Sequence, residues 1–133
     1  MAPFGMEQAI TISVPARTGF VHVLRAVTAG VAARLDFSVD DIDDLRLAVD
    51  EASAHLLSQH PSLTRLSVRL TPGPDRFEVL AWGDGQIDAW PKDDTTRSMA
   101  WHVLVALTDE LSLERVDGEP AIRFAKRLPE RSA

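Results

Sequence analysis

The chain has 133 residues, 45% of them hydrophobic, no cysteine and a formal net charge of −6. That is enough apolar material for one globular domain with a true core, and it excludes disulfide frameworks and thiolate catalysis. The acidic balance argues against direct nucleic-acid binding, which needs a basic face, and no apolar run reaches the ~18 residues of a membrane span.

Residues 1–6 are expected to be a flexible N-terminus, with no basic-then-apolar leader pattern in MAPFGMEQ. One domain is expected over residues 7–128, followed by a flexible tail at 129–133. From Glu7 to Pro15, Ile10, Ile12 and Val14 alternate with Thr11 and Ser13, which predicts a half-buried strand. From Arg17 to Leu35 the period changes to a helix, with Phe20, Leu24, Val27, Val31 and Leu35 as its apolar seam. Ala26, Gly30 and Ala33 leave a flank of small residues. That flank either admits another element or packs on the domain's own sheet. Arg25, inside this helix, reads by default as part of a solvated face.

Ser38 to His60 predicts one long helix. Ile42, Leu45, Val49, Ala52 and Leu56 recur at steps of three and four, Ser38 is a good N-cap, and four aspartates load the first turns. Pro61 stops it. Thr64 to Leu70 and Phe77 to Trp82 alternate as two strands joined by the turn residues of Thr71 to Asp75. Gly83 to Arg97 is polar, turn-rich and long for a connection. Ser98 can cap a short helix of about Met99 to Thr108. Leu111 to Val116 and Ala121 to Leu128 form a last pair of strands around the hairpin signal Asp117-Gly118. Two hairpins make the sheet mainly antiparallel, and the two long helices can cover only one face. The expected fold class is α+β, a two-layer sandwich.

Glu51 lies beside the apolar stripe of the long helix, with His55 one turn on. A carboxylate there is either a half-exposed helix acid or part of a site at the core's edge. His22, His60 and His102 do not make metal-ligand spacing, so no metal site is expected. No Ser-His-Asp grouping is evident.

The order of these elements and the run VPARTGFVHVLRAVTAGVAARLDFSVDDIDDLRLAVDEASAHLL, resumed in WHVLVALTDE and GEPAIRFAKRL, resemble the anti-sigma-factor serine kinases of the RsbW and SpoIIAB type. The Trp-His-Val-Leu variant resembles actinobacterial members. The resemblance implies the GHKL ATPase fold of histidine kinases, a mixed sheet covered by helices. It implies a cytoplasmic homodimer, acting in stress response, that sequesters an alternative sigma factor and releases it to a STAS-domain anti-anti-sigma partner. An internal Arg on the first helix serves partner contact in that family, which assigns Val21, His22 and Arg25 to the partner surface. It implies ATP and Mg²⁺ as cofactors, with Glu51 as general base for phosphate transfer to a serine of the STAS partner.

The nucleotide motifs depart from the family. Where an Asn oxygen would hold Mg²⁺ stands His55, a poor substitute for a hard oxygen ligand. Where Asp-x-Gly-x-Gly would read adenine, the chain has Gly83-Asp84-Gly85-Gln86-Ile87, so the Asp position is Gly83 and Asp84 is displaced by one. The remaining nucleotide candidates are His55, Asp84 and Gly85. The stretch TTRSMAWHV lacks the family's phosphate-cradling glycines, and Met99 and Trp101 are bulky near that position. These departures together imply weak or absent ATP binding. The main expectation is therefore an anti-sigma binding module, and the alternative is a Mg²⁺-ATP-dependent serine kinase.

Overall fold

The computed structural model describes residues 8–60, 62–85, 90–91 and 95–129. The expected end at 1–6 and all of the expected tail at 129–133 except Pro129 lie outside them. The elements run β1 (Ile10–Pro15), a 3-10 turn (Thr18–Phe20), α1 (Val21–Arg34), α2 (Val39–Gln59), β2 (Arg65–Pro72), β3 (Arg76–Gly83), a second 3-10 turn (Thr95–Arg97), α3 (Met99–Leu107), β4 (Glu110–Val116) and β5 (Glu119–Arg127). The strand order is β1-β2-β3-β5-β4. Every pairing is antiparallel, where the resemblance implied a mixed sheet. The second hairpin accounts for this: β5 turns back from β4 and inserts between β4 and β3.

Alternation and register put one apolar face on the sheet. Ile12, Val68, Ala81, Ile122 and Leu113 stand in one row across it, and Ile10, Leu70, Val79, Phe124 and Leu111 in the next. Against these rows α2 buries Leu45, Val49, Ala52 and Leu56, four of the five residues of the stripe its spacing predicts, while Ile42 is half-buried. The fold is thus an α+β sandwich with its helices over one face of the sheet. Ser38 caps α2 by accepting from the Asp41 amide at 3.1 Å. Ser98 caps α3 by accepting from the Trp101 amide at 3.1 Å. Asp117 and Gly118 both take positive φ, 51° and 82°, the pair of left-handed residues that a tight two-residue hairpin needs.

The seam of α1 differs from the periodicity reading. Its buried residues are Val21, Leu24, Thr28, Ala29 and Ala32, while Phe20 is exposed and Val27, Val31 and Leu35 are half-buried. Thr18–Phe20 forms a 3-10 turn, so the α-helical phase starts at Val21, and the small residues Thr28 and Ala32 face inward. Thr28 satisfies its buried hydroxyl on the Leu24 carbonyl at 2.8 Å. Ala26, Gly30 and Ala33 are exposed, so that flank does not pack on the domain's own sheet.

Among the described residues no helix lies on the opposite face of the sheet, which is covered by its own long side chains. Arg69 lies 5.4 Å over the Trp82 ring. Arg76 pairs with Glu110 at 2.8 Å, and Arg123 pairs with Glu78 and Glu114. On the helix side Lys126 of β5 ties three elements together. Its ammonium lies 3.5 Å from Asp41, 3.4 Å from Asp44 and 3.3 Å from the Leu107 carbonyl. Two of the aspartates that suit the dipole of α2 thereby also hold β5.

Candidate functional site

Of the four positions that the resemblance assigns to catalysis and nucleotide, Glu51 and His55 lie on the C-terminal half of α2 and Asp84 and Gly85 just after β3. Glu51 is half-buried on α2 and pairs with neither Arg46 nor Arg25. Arg46 goes to Asp43 at 3.5 Å and Arg25 to Asp50 at 2.9 Å. His55, one turn on, is buried at 8% exposure. Its ring faces not solvent but the indole of Trp90, 6.1 Å away and tilted by 51°. The same indole meets His60, the C-cap of α2, edge to face at 5.2 Å and 68°.

Trp90 enters from the polar connection after β3 and is itself 5% exposed. Its indole N–H donates to the Glu114 carbonyl on β4 at 2.8 Å, and its own carbonyl accepts from the Arg115 guanidinium at 3.2 Å. Trp90 thus bridges the C-terminal half of α2 and the last strands. The bulk near this region is not Met99, which is 77% exposed, nor Trp101, which is half-buried on α3.

The end of β3 is filled in a second way. A Cβ at Gly83, where the resemblance expects an Asp, would stand 2.4 Å from Leu63 Cδ1. One at Gly85 would stand 2.8 Å from Leu63 Cδ2. Leu63 is buried in the core cluster together with Trp90. Asp84, next to these glycines, spends its carboxylate on the chain itself. It accepts from the Thr64 amide at 2.9 Å, the Arg65 amide at 3.0 Å and the Thr64 hydroxyl. Partial burial pushes its carboxyl up, but these hydrogen bonds outweigh that and hold it below its ordinary value. Glu119 at the start of β5 is shifted the other way, raised by burial and then by the charges of Asp84 and Asp117. The residues present do not offer what a Mg²⁺-nucleotide needs. Among the described residues one position is a buried ring, at another a side chain would have to displace Leu63, and the carboxylate already has three donors. Among the described residues no group of three His, Asp or Glu could hold a metal ion.

The positions assigned to a partner lie elsewhere, on the outer side of the helical layer. Val21, His22 and Arg25 of α1 line a groove with Asp50, Ala54 and Leu57 of α2, about 500 Å³ in volume. His22 and Arg25 also border a neighbouring concavity of about 450 Å³ with Arg46 and Leu47. The Arg25 guanidinium stands between the two, donating to Asp50 at 2.9 Å and touching His22 Nδ1. The lining of this crease is mixed, the apolar Val21, Ala54 and Leu57 standing beside the charged Arg25 and Asp50.

The sequence reading singled out His55 and Arg25 but neither Trp90, Leu63 nor Asp50. A tryptophan followed by proline inside an otherwise polar connection is the signal that could have marked Trp90, since a large ring in such a stretch has to find cover.

No family model matches the chain. Its sequence is similar to curated proteins named serine-protein kinase RsbW. It is 31% identical over 107 residues to the one from Bacillus velezensis and 28% identical over 106 residues to the one from Bacillus subtilis, covering 77% of this chain and 65% of theirs in both cases. To the one from Halalkalibacterium halodurans it is 34% identical over 82 residues, 59% of this chain and 49% of that one. The chain thus spans between about half and two thirds of the length of these relatives.

Proposed function

From the premise that this chain is a homologue of the RsbW-type serine-protein kinases, we propose that it is an anti-sigma factor working as a binding module without nucleotide chemistry. It sequesters an alternative sigma factor in the cytoplasm, acts as a homodimer, and yields its cargo to a STAS-domain anti-anti-sigma protein. The observation that carries this reading is the filling of the nucleotide-assigned positions by the chain's own Trp90 and Leu63. With no phosphate to transfer, release is set by the relative affinities and concentrations of cargo and antagonist. The partner surface is the crease around Val21, His22 and Arg25. It is a groove in which the apolar Val21, Ala54 and Leu57 meet the charged Arg25 and Asp50.

Two experiments test this. Isothermal titration with Mg²⁺-ATP is expected to give no heat at millimolar nucleotide. Two-hybrid and pull-down assays against the sigma factors of the source genome are expected to recover one partner, weakened at least about tenfold by Arg25→Glu. Failure to recover any sigma factor would remove the reading.

The name of the relatives and the position of Glu51 on α2 favour a second reading, a serine kinase acting on the STAS antagonist with Glu51 as base. Incorporation of γ-phosphate into that antagonist, lost in Glu51→Ala, would establish it in place of the first.

A further inference from the structure

Trp90 is held as a ligand is held. Its ring meets one imidazole edge-on and another at a tilt, its single polar atom has a carbonyl acceptor at 2.8 Å, and 5% of it remains exposed. The two imidazoles and the carbonyl that meet the ring belong to the framework, not to the connection that carries the ring. His55 is inside α2. His60 caps that helix, its amide donating to the Leu56 carbonyl at 3.1 Å and its carbonyl accepting from the Leu63 amide at 3.1 Å. The Glu114 carbonyl belongs to β4, which is paired along its length with β5. Walls fixed in this way persist when their occupant is removed, and a cavity left by a large buried side chain can take a free molecule of the same shape.

We infer that the cleft between the C-terminal half of α2 and β4 is a binding seat for one planar heteroaromatic ring bearing an N–H donor, occupied in cis by Trp90. The ligand class follows from the walls. Two imidazoles favour a flat aromatic ring over an aliphatic group. The Glu114 carbonyl demands a donor, so an oxygen heterocycle of the same shape is rejected. The cis occupant is present at the high effective concentration of its tether, so a free ring does not displace it from the unaltered chain. Trp90 therefore occupies the seat without any added ligand. The inference does not depend on which partner the helical crease binds, and its test uses no partner.

The experiment is to vacate the seat with Trp90→Gly and supply free indole. Trp90→Gly is expected to melt about 5 °C or more below the unaltered chain, and indole is expected to restore much of that loss saturably, with a Kd near millimolar. Benzofuran, which has the same outline without the N–H, is expected to bind at least about tenfold more weakly. The unaltered chain is expected to show no shift with either compound. An equal indole shift in both proteins, or a Trp90→Gly melt unchanged from the unaltered chain, overturns the inference. If Trp90→Gly does not fold alone, refolding it in saturating indole decides: recovery of the native spectrum supports the seat, and failure overturns it. Trp90→Phe adds a second readout. It keeps a ring but leaves the Glu114 carbonyl without its donor, so it should melt between the two. A Trp90→Phe chain as stable as the unaltered one overturns the donor requirement.

Discussion

Gly83 shows at the scale of one residue how the chain has parted from the motif it resembles. Its backbone is not in a left-handed conformation, and among the described glycines only Gly118 is. What opposes a side chain here is the buried end of Leu63, 2.4 Å from where a Cβ would be, which would have to shift. Restoring the motif acid by Gly83→Asp is therefore expected to destabilise by about 1–3 kcal/mol through overpacking. The penalty should shrink when Leu63→Ala makes room, which urea unfolding of both single variants and the double would measure. A Gly83→Asp chain with an unchanged midpoint would sink this account. The neighbouring acids give a pH test with opposite signs. The folded state holds Asp84 below its ordinary value, so its contribution is present at neutral pH and is lost as pH falls through that lowered value. The folded state holds Glu119 above its ordinary value, so its contribution is greatest in acid and is lost as pH rises through that raised value. At pH 7 Asp84→Asn should therefore melt below the unaltered chain and Glu119→Gln above it. The Glu119 difference should narrow by about pH 3, where its carboxyl is protonated in folded and unfolded chains alike, while the Asp84 difference starts to narrow as pH falls below its ordinary value and closes only below its lowered folded value. Melting curves that keep the same spacing at both pH values would contradict the assignment.

At the scale of elements, what was legible in the sequence is what is local. The serine caps of α2 and α3, the stripe Leu45-Val49-Ala52-Leu56 and the hairpin at Asp117-Gly118 are each written within a few consecutive residues, and each forms as its spacing predicts. The rotation of α1 was not legible, because a short 3-10 turn resets the helical phase and nothing in the apolar pattern marks where. Trp90 was missed for a related reason. Its partners stand at 55, 60 and 114, so its burial is a property of how α2, β4 and their connection meet, not of the residues beside it. Lys126 is a third contact of this kind and provides a prediction. Its side chain is 13% exposed, while Asp41 and Asp44 are 38% exposed, so both acids stay partly solvated if the lysine is lost. Lys126→Ala is expected to cost about 1–2 kcal/mol, below the range for fully buried pairs because of that solvation. Lys126→Met, which keeps the apolar stem, should recover more than half of the loss. Equal losses for Ala and Met would mean that the charge, not the stem, joins β5 to the two helices.

For the whole molecule the deciding quantity is the net charge of −6. A basic partner is drawn to such a surface before any contact forms, and salt weakens that attraction over a Debye length of ~8 Å at physiological ionic strength. On the proposed reading, close contacts in the crease between α1 and α2 act later, on how long the complex lasts. Arg25→Glu separates the two effects because it moves them in opposite directions. Losing one positive charge and adding one negative takes −6 to −8, which should raise the association rate with a basic sigma-factor domain at low salt. The same change replaces the Arg25–Asp50 pair at 2.9 Å with two adjacent acids and removes the guanidinium from the groove, which should raise the dissociation rate more than enough to offset that gain. Surface plasmon resonance at about 50 and 500 mM salt is the measurement. For the unaltered chain the association rate should fall by about tenfold between these salts with little change in dissociation. Arg25→Glu should associate at least as fast at low salt and dissociate at least about tenfold faster. If Arg25→Glu instead slows association and leaves dissociation alone, Arg25 acts by long-range steering and the docking surface has to be sought away from the α1–α2 crease.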